Sequence, residues 1–184
     1  MTALTRQTSE TEVRLVLRRA SDPERTGRIA TSEPFLDHML ATLSRYAGMH
    51  LEVDARGDLR HHVIEDVAIT LGLALRDQTP AACARYGHAV VPMDEALVDA
   101  TVDAGGRFYY EGRLPARLYE HFLRSLAENA RFTLHVRVLR GRDRHHVVEA
   151  AFKAFGLALR QALATQATVF STKGAVRVDR EESG

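Results

Sequence analysis

Residues 61–65, His-His-Val-Ile-Glu, return almost unchanged at 145–149 as His-His-Val-Val-Glu. Each copy runs on at the same offset into Gly-Leu-Ala-Leu-Arg, residues 72–76 and 156–160. Each is preceded by an acidic-His pair, Asp37-His38 and Glu120-His121, with His38 lying 23 residues before His61 and His121 24 before His145. Between 61–76 and 145–160, nine of sixteen positions are identical. Chance similarity between helices falls on Leu and Ala. Here it falls on His and Glu, which core packing does not require. A period of 84 residues is too long for a solenoid and suits a duplicated half-domain.

On a helix, residues i and i+4 share a face, while i+1 points about 100° away. His61 with Glu65, and His145 with Glu149, can therefore each grip one ion, leaving His62 and His146 to reach a second. Six imidazoles and two carboxylates arranged by duplication suggest a two-metal site. A single His-His pair could merely cap or flank a helix, but that reading does not explain two pairs repeated with their Glu partners.

Working outward, each half reads as strands, helix, strand, helix. Glu12 to Arg19 alternates Val13, Leu15 and Leu17 with polar neighbours, as a half-buried strand does. Pro34 opens a helix with Phe35, Met39, Leu40 and Leu43 on one face, ending near Gly48. His50 to Ala55 alternates again, Gly57-Asp58 supplies a turn, and the first motif helix runs from about His62 to Arg76. In the second half, Ala96 to Val102, Arg107 to Tyr110 and Phe132 to Leu139 read as strands. Glu120 to Ala130 and His145 to Ala164 read as helices. Pro80 and Pro92 break the region between the halves. The expected fold class is α+β, with internally duplicated half-domains, each a small β-sheet packed with two helices. The halves are placed at 1–88 and 89–176, with a flexible charged tail at 177–184. If they pack by approximate two-fold symmetry, the motif helices come near one another.

The chain has 184 residues, 45% hydrophobic and 27% charged, within the range of one soluble domain or two small ones around a common core. A net charge of +1 argues against a bulk electrostatic grip on nucleic acid. The single cysteine, Cys83, excludes an internal disulfide and disfavours a cysteine-based zinc site. The opening residues lack an apolar signal core, and no run approaches the roughly 18 apolar residues of a membrane span. A cytoplasmic protein without membrane or nucleic-acid partners is expected.

The ordered motifs resemble the imidazoleglycerol-phosphate dehydratase family of histidine biosynthesis. They are Arg6-x-Thr-x-Glu10-Thr11, Phe35-Leu-Asp37-His38-Met39-Leu40, and Gly57-Asp-Leu followed by His61-His62-x-x-Glu65-Asp66. Next come Pro92-Met93-Asp94-Glu95-Ala96, Gly106-Arg107, Glu120-His121-Phe122, His145-His146-x-x-Glu149-Ala-x-Phe152-Lys153-Ala154 and Ser171-Thr172-Lys173-Gly174. Each is weak alone; all of them in one order, over residues 6 to about 176, are specific. The chain departs from the family pattern where Arg60 abuts His61 without the usual intervening residues. It also has Ser32-Glu33-Pro34 before the Phe-Leu-Asp-His segment, and Tyr46 where a substrate-holding His often stands. The loop after Arg107 is shorter than in longer members.

The resemblance implies two manganese ions, other divalent metals being compatible with the same N/O ligands. One would take His38, His62, His145 and Glu149, the other His61, Glu65, His121 and His146. The reaction it implies removes water from imidazoleglycerol phosphate to give imidazoleacetol phosphate. The carbon-bound proton that leaves is not acidic, so the metals would act as Lewis acid and template for the imidazole ring. A separate carboxylate would take the proton; Glu10 matches the family's substrate-contacting Glu, and Asp94 is the second candidate. Their ordinary roles would be an exposed strand-edge acid and a turn-forming Asp. Arg85, Arg107, Lys153, Ser171 and Lys173 match phosphate or substrate positions, where charge-assisted donors are needed. Lys153, eight residues past His145 among Ala and Phe, falls on the metal side of its helix by spacing alone. His50, His88 and His135 lie in or beside strands and are read as structural.

The family's known assembly, a hollow shell of twenty-four subunits with metals at subunit boundaries, makes a homo-oligomeric 24-mer the expected state. Two other readings compete. A dinuclear hydrolase acting on a small phosphate ester would release inorganic phosphate. A metal-storage or oligomer-stabilising protein would load metal without turnover.

Overall fold

In the computed structural model, residues 1–19 and 27–168 are described. The first half contributes β1 (Thr2–Gln7), β2 (Thr11–Arg19), β3 (Ile29–Ala30), α1 (Pro34–Ala47), β4 (Met49–Gly57) and α2 (Arg60–Gln78). The second contributes β5 (Tyr86–Met93), β6 (Ala96–Asp103), β7 (Tyr109–Gly112), α3 (Arg117–Ala130), β8 (Thr133–Arg140) and α4 (Arg144–Ala162). The element order is the same twice, and so is the strand order: β1-β2-β4-β3 in one sheet, β5-β6-β8-β7 in the other. In each, the first three strands in that order pair antiparallel and the last pair is parallel, because a helix (α1 or α3) crosses over between its two members. The α+β duplication expected from the motif is the architecture observed.

Helices α1 and α2 cover the inner face of the first sheet, and α3 and α4 that of the second. The two helical layers then meet, α1 against α4 and α2 against α3. This pairing differs from the expectation that the motif helices would adjoin. Each motif helix, α2 or α4, instead packs principally on the upstream helix of the opposite half. One hydrophobic core runs through all four layers. It takes Leu15, Leu17 and Leu51 from the first sheet, Val98, Val102 and Leu134 from the second, and Met39, Ile64, Phe122, Phe152 and Phe155 from the helices, each at most 1% exposed. Phe122 and Phe152 stack across α3 and α4 with ring centroids 5.4 Å apart.

Local chemistry sets the ends. Pro34 occupies the first turn of α1, and Gly48 ends it at φ 67°, its N–H returning to Arg45 O at 3.2 Å, as a left-handed cap requires. The acids of the two acidic-His pairs are loop anchors. Asp37 Oδ1 accepts from Thr31 N and Oγ1 (2.9 and 2.6 Å), and Glu120 Oε2 accepts from Leu114 N (2.9 Å). Asp143 caps α4 by accepting from His145 N at 2.7 Å.

The sequence reading missed β1, β3 and β5. Pro92, a breaker by its residue type, lies inside β5, an edge strand where its missing N–H costs no ladder bond. β5 starts at Tyr86, so a division at 88/89 falls within that strand. β7 begins two residues later than expected, after Gly106 turns the chain at φ 81°. The tail at 177–184 lies outside the described residues. Among those described, no helix is long and apolar enough to cross a membrane.

Candidate metal and substrate site

The cross-half packing of α1 on α4 carries His38 to the N-terminal turns of the second motif helix. His38 Nε2 and His145 Nε2 lie 3.3 and 3.1 Å from one oxygen of Glu149, Oε2. One donor atom from each of the three falls within 4.8 Å of the others. Lys153, one turn on, reaches the other carboxylate oxygen at 2.8 Å. Burial raises the Glu149 pKa, but the hydrogen bonds from Lys153 and His38 outweigh it and hold the carboxyl below its usual range. A buried, ionised carboxylate facing two imidazoles results. Lys153 Nζ also approaches Met93 Sδ at 3.3 Å and lies 5.8 Å from the Tyr46 ring centroid. The lysine thus lies on the same helix face as His145 and Glu149 and faces Tyr46.

Packing of α2 on α3 makes the counterpart. His121 Nε2 lies 3.3 Å from Glu65 Oε1. His61 precedes Glu65 by one turn, its ring edge-on to His62 at 4.1 Å. Glu65 is 40% exposed against 9% for the Glu149 side chain, so this pair is more open to solvent. Among the described residues, the groups of three close donors are His38–His145–Glu149 and Glu10–Asp58–His62.

The second imidazoles lie elsewhere. His62 Nδ1 is 2.8 Å from Asp58 Oδ1 and 3.5 Å from Glu10 Oε2. His146 Nδ1 is 2.7 Å from Glu95 Oε2, while its Nε2 is 3.3 Å from Asp94 Oδ2. The hydrogen bonds to Asp58 and Glu95 raise the pKa of His62 and His146. Glu95, which also accepts from Asp143 N and Arg142 N, is pulled down to about 2. One chain therefore gathers three of the four residues assigned to the first ion and leaves His62 apart; His146 is likewise apart from Glu65 and His121. His62 belongs to the α2–α3 pair and His146 to the α1–α4 pair, each opposite the group it was assigned to, and the 100° step between adjacent helical residues turns each away from its own motif partners.

Glu10 and Asp94 turn out to be structural counterparts. Glu10 lies in the β1–β2 hairpin, where Thr8 Oγ1 accepts its backbone N–H at 3.1 Å. Asp94 lies in the β5–β6 hairpin at φ 47°, a left-handed conformation that Asp tolerates. Both acids stand beside the second imidazole of their own half. Asp58 and Glu95, which are not among the candidate site residues of the sequence, hold these two imidazoles. Asp58 was read only as a turn former, and Glu95 only as part of a motif.

Arg85 and Arg107 lie far from His145 in the same chain. The N–H of Arg85 bonds to Ala162 O, at the far end of α4 from His145, about 26 Å away by helix rise. Its guanidinium grips both oxygens of Asp103 at 2.7 and 3.0 Å and stacks over Tyr86. Arg107 O accepts from Thr133 at the same end of the sheet. Ser171 and Lys173 lie outside the described residues.

A duplicated α+β fold with His and carboxylate side chains gathered where its halves meet is the class these features define. The family model for imidazoleglycerol-phosphate dehydratase matches residues 31–159. A relative so named from Anaeromyxobacter sp. strain K is 47% identical, over 94% of this chain and 90% of its own length. Another, from Pyrobaculum aerophilum, is 49% identical over 92% and 96%. The solved Pyrococcus furiosus enzyme in complex with (S)-C348 superposes with a TM-score of 0.84 at 38% identity, covering 94% of this chain and all of that one. The Staphylococcus aureus enzyme gives 0.79 at 32% identity, covering 90% of this chain and all of that one. The chain belongs to the imidazoleglycerol-phosphate dehydratase family.

Proposed function

We propose that this protein is a hydro-lyase of histidine biosynthesis, converting imidazoleglycerol phosphate to imidazoleacetol phosphate and water in the cytoplasm. The observation that carries the reading, beside family membership, is the His38–His145–Glu149 group, built across the two halves. Its donors, two imidazole nitrogens and a buried ionised carboxylate, suit a divalent ion such as manganese, as does the counterpart set of His61, Glu65 and His121. An ion held there supplies Lewis acidity and a template for the substrate ring. His62 and His146 complete the two sets from neighbouring copies, which accounts for half-exposed His38 and His145 rings, 49% each.

Glu10 sits 3.5 Å from His62, so the two arrive together at the completed site. There Glu10 accepts the carbon-bound proton, a role that needs a carboxylate within hydrogen-bond reach of substrate. Asp94 has the equivalent place beside His146. Lys153 provides a fixed positive charge for the phosphate. Arg85 and Arg107, at the opposite end of the fold, serve the phosphate of a neighbour's site, together with Ser171 and Lys173. The homo-oligomer this requires is a 24-mer. The test is to incubate manganese-loaded protein with imidazoleglycerol phosphate and follow ketone formation. Product should accumulate; none under these conditions would sink the reading.

A further inference from the structure

The two imidazoles that leave the clusters do so with a common geometry. In the first half, Asp58 stands four residues before His62 and takes its Nδ1 at 2.8 Å, while Leu59 N holds the same carboxylate oxygen at 2.7 Å. In the second half, no acid occupies that sequence position; Arg142 does. The acid comes instead from the β5–β6 hairpin. Glu95 Oε2 takes His146 Nδ1 at 2.7 Å, and its Oε1 is pinned by the N–H groups of Arg142 and Asp143 at 3.0 and 2.7 Å. Duplication has thus kept the contact on the imidazole while changing the residue that makes it. A contact that persists through a change of source is difficult to ascribe to local packing.

The chemistry follows from the acceptor. A carboxylate can only accept, so in the neutral ring Nδ1 carries the proton and Nε2 keeps its lone pair; the hydrogen bond of His146 is the one to Glu95, Asp94 Oδ2 at 3.3 Å from Nε2 being a looser charge contact. Metal-bound histidines share this arrangement, in which the outer hydrogen bond fixes tautomer and ring orientation and raises basicity. We infer that Asp58 and Glu95 are positioning residues that present the Nε2 lone pairs of His62 and His146 outward, as ligands for ions held by a neighbouring copy. The inference rests on the two-ion reading above and assigns to these acids a role distinct from that of Glu10 and Asp94. Those two belong to the substrate; Asp58 and Glu95 belong to the imidazoles.

Two readouts on the full chain test this. Manganese affinity, measured by chelator competition, should fall about 10- to 100-fold in Asp58→Ala and in Glu95→Ala. In the metal-stripped protein at about pH 9, above the ordinary His range, nitrogen-15 NMR should show His62 and His146 protonated at Nδ1. In each alanine variant the proton on its own histidine should redistribute towards Nε2. Should an alanine variant not fold, Asp58→Asn and Glu95→Gln keep the acceptor oxygen but lose the charge. They should retain the Nδ1–H form and bind manganese about three- to tenfold more weakly. Unchanged affinity in the variants that fold, or Nε2–H imidazoles in the unsubstituted protein, overturns the inference and leaves the dehydratase reading intact. An unsubstituted protein that binds no manganese defeats the two-ion reading instead, and the NMR result still reports separately on orientation.

Discussion

Glu10 illustrates how little a single residue announces its role. On sequence it is an acid at a strand edge, and in the chain it is 53% exposed. Only its place beside His62 links it to the chemistry. Glu10→Gln keeps the shape and removes the base. Manganese content should persist while kcat falls by about 10² or more. Loss of metal with unchanged turnover per bound ion would make Glu10 a ligand instead. A second residue-scale expectation concerns Asp103. Burial raises its pKa, but the hydrogen bond and charge of Arg85 outweigh this, and the folded value is lowered. A depressed folded pKa gives stability that is present above the unfolded value, about 3.9, and lost as pH falls through the folded one. Urea midpoints of the metal-stripped chain should therefore decline below about pH 4, and Asp103→Asn should make that decline shallower. An equally steep acid limb in the variant would mean the Arg85 pair does not titrate in this way.

At the scale of elements, the repeated Gly of Gly-Leu-Ala-Leu-Arg is explained by helix contact. A Cβ at Gly72 would stand 2.5 Å from Leu126 O on α3, and one at Gly156 would stand 2.8 Å from Tyr46 Cβ on α1. These are the two cross-half helix pairs, so the same small residue lets both motif helices close on their partners. Two magnitudes compete in Gly156→Ala: helix propensity favours Ala by about 1 kcal/mol, while overpacking costs about 1–3 kcal/mol. The clash is with a Cβ and nearby backbone, which cannot swing aside, so net destabilisation should show in chemical denaturation. His38 should also move relative to Glu149, weakening metal binding. A more stable variant would mean the helices have slack. The same scale shows why some elements were legible and others not. Pro34, Gly48 and the apolar spacing between them delimit α1 from sequence alone. β5 was not readable because its inward residues begin with Gly87 and Ala89 in place of larger apolar side chains. Gly87 is there because a Cβ would collide with Ala158 O at 1.8 Å, a tertiary constraint with no local signature.

For the whole molecule, the repeat makes the architecture and the candidate ligands legible, because both are written twice. The grouping of ligands was not, since helix periodicity says which residues diverge but not which chain they reach. His62 and His146 diverge from the clusters of their own chain, and Arg85 and Arg107 lie at the end of the fold away from His145. If these residues serve one site, ion binding and partner binding are the same event, and assembly is tied to metal by mass action. Removing metal would take away the ions that join copies, while the core inside each copy, shared by both halves, is untouched. Chelation should therefore shrink the proposed 24-mer to smaller species without unfolding the chain, and manganese should restore it. Light scattering with circular dichroism follows both quantities at once. His62→Ala should mimic chelation, because it deletes a ligand offered to a neighbour while leaving His38, His145 and Glu149 in place. A monomer with full metal content and full activity would show that one chain completes its own site, and the outward histidines would then need another explanation.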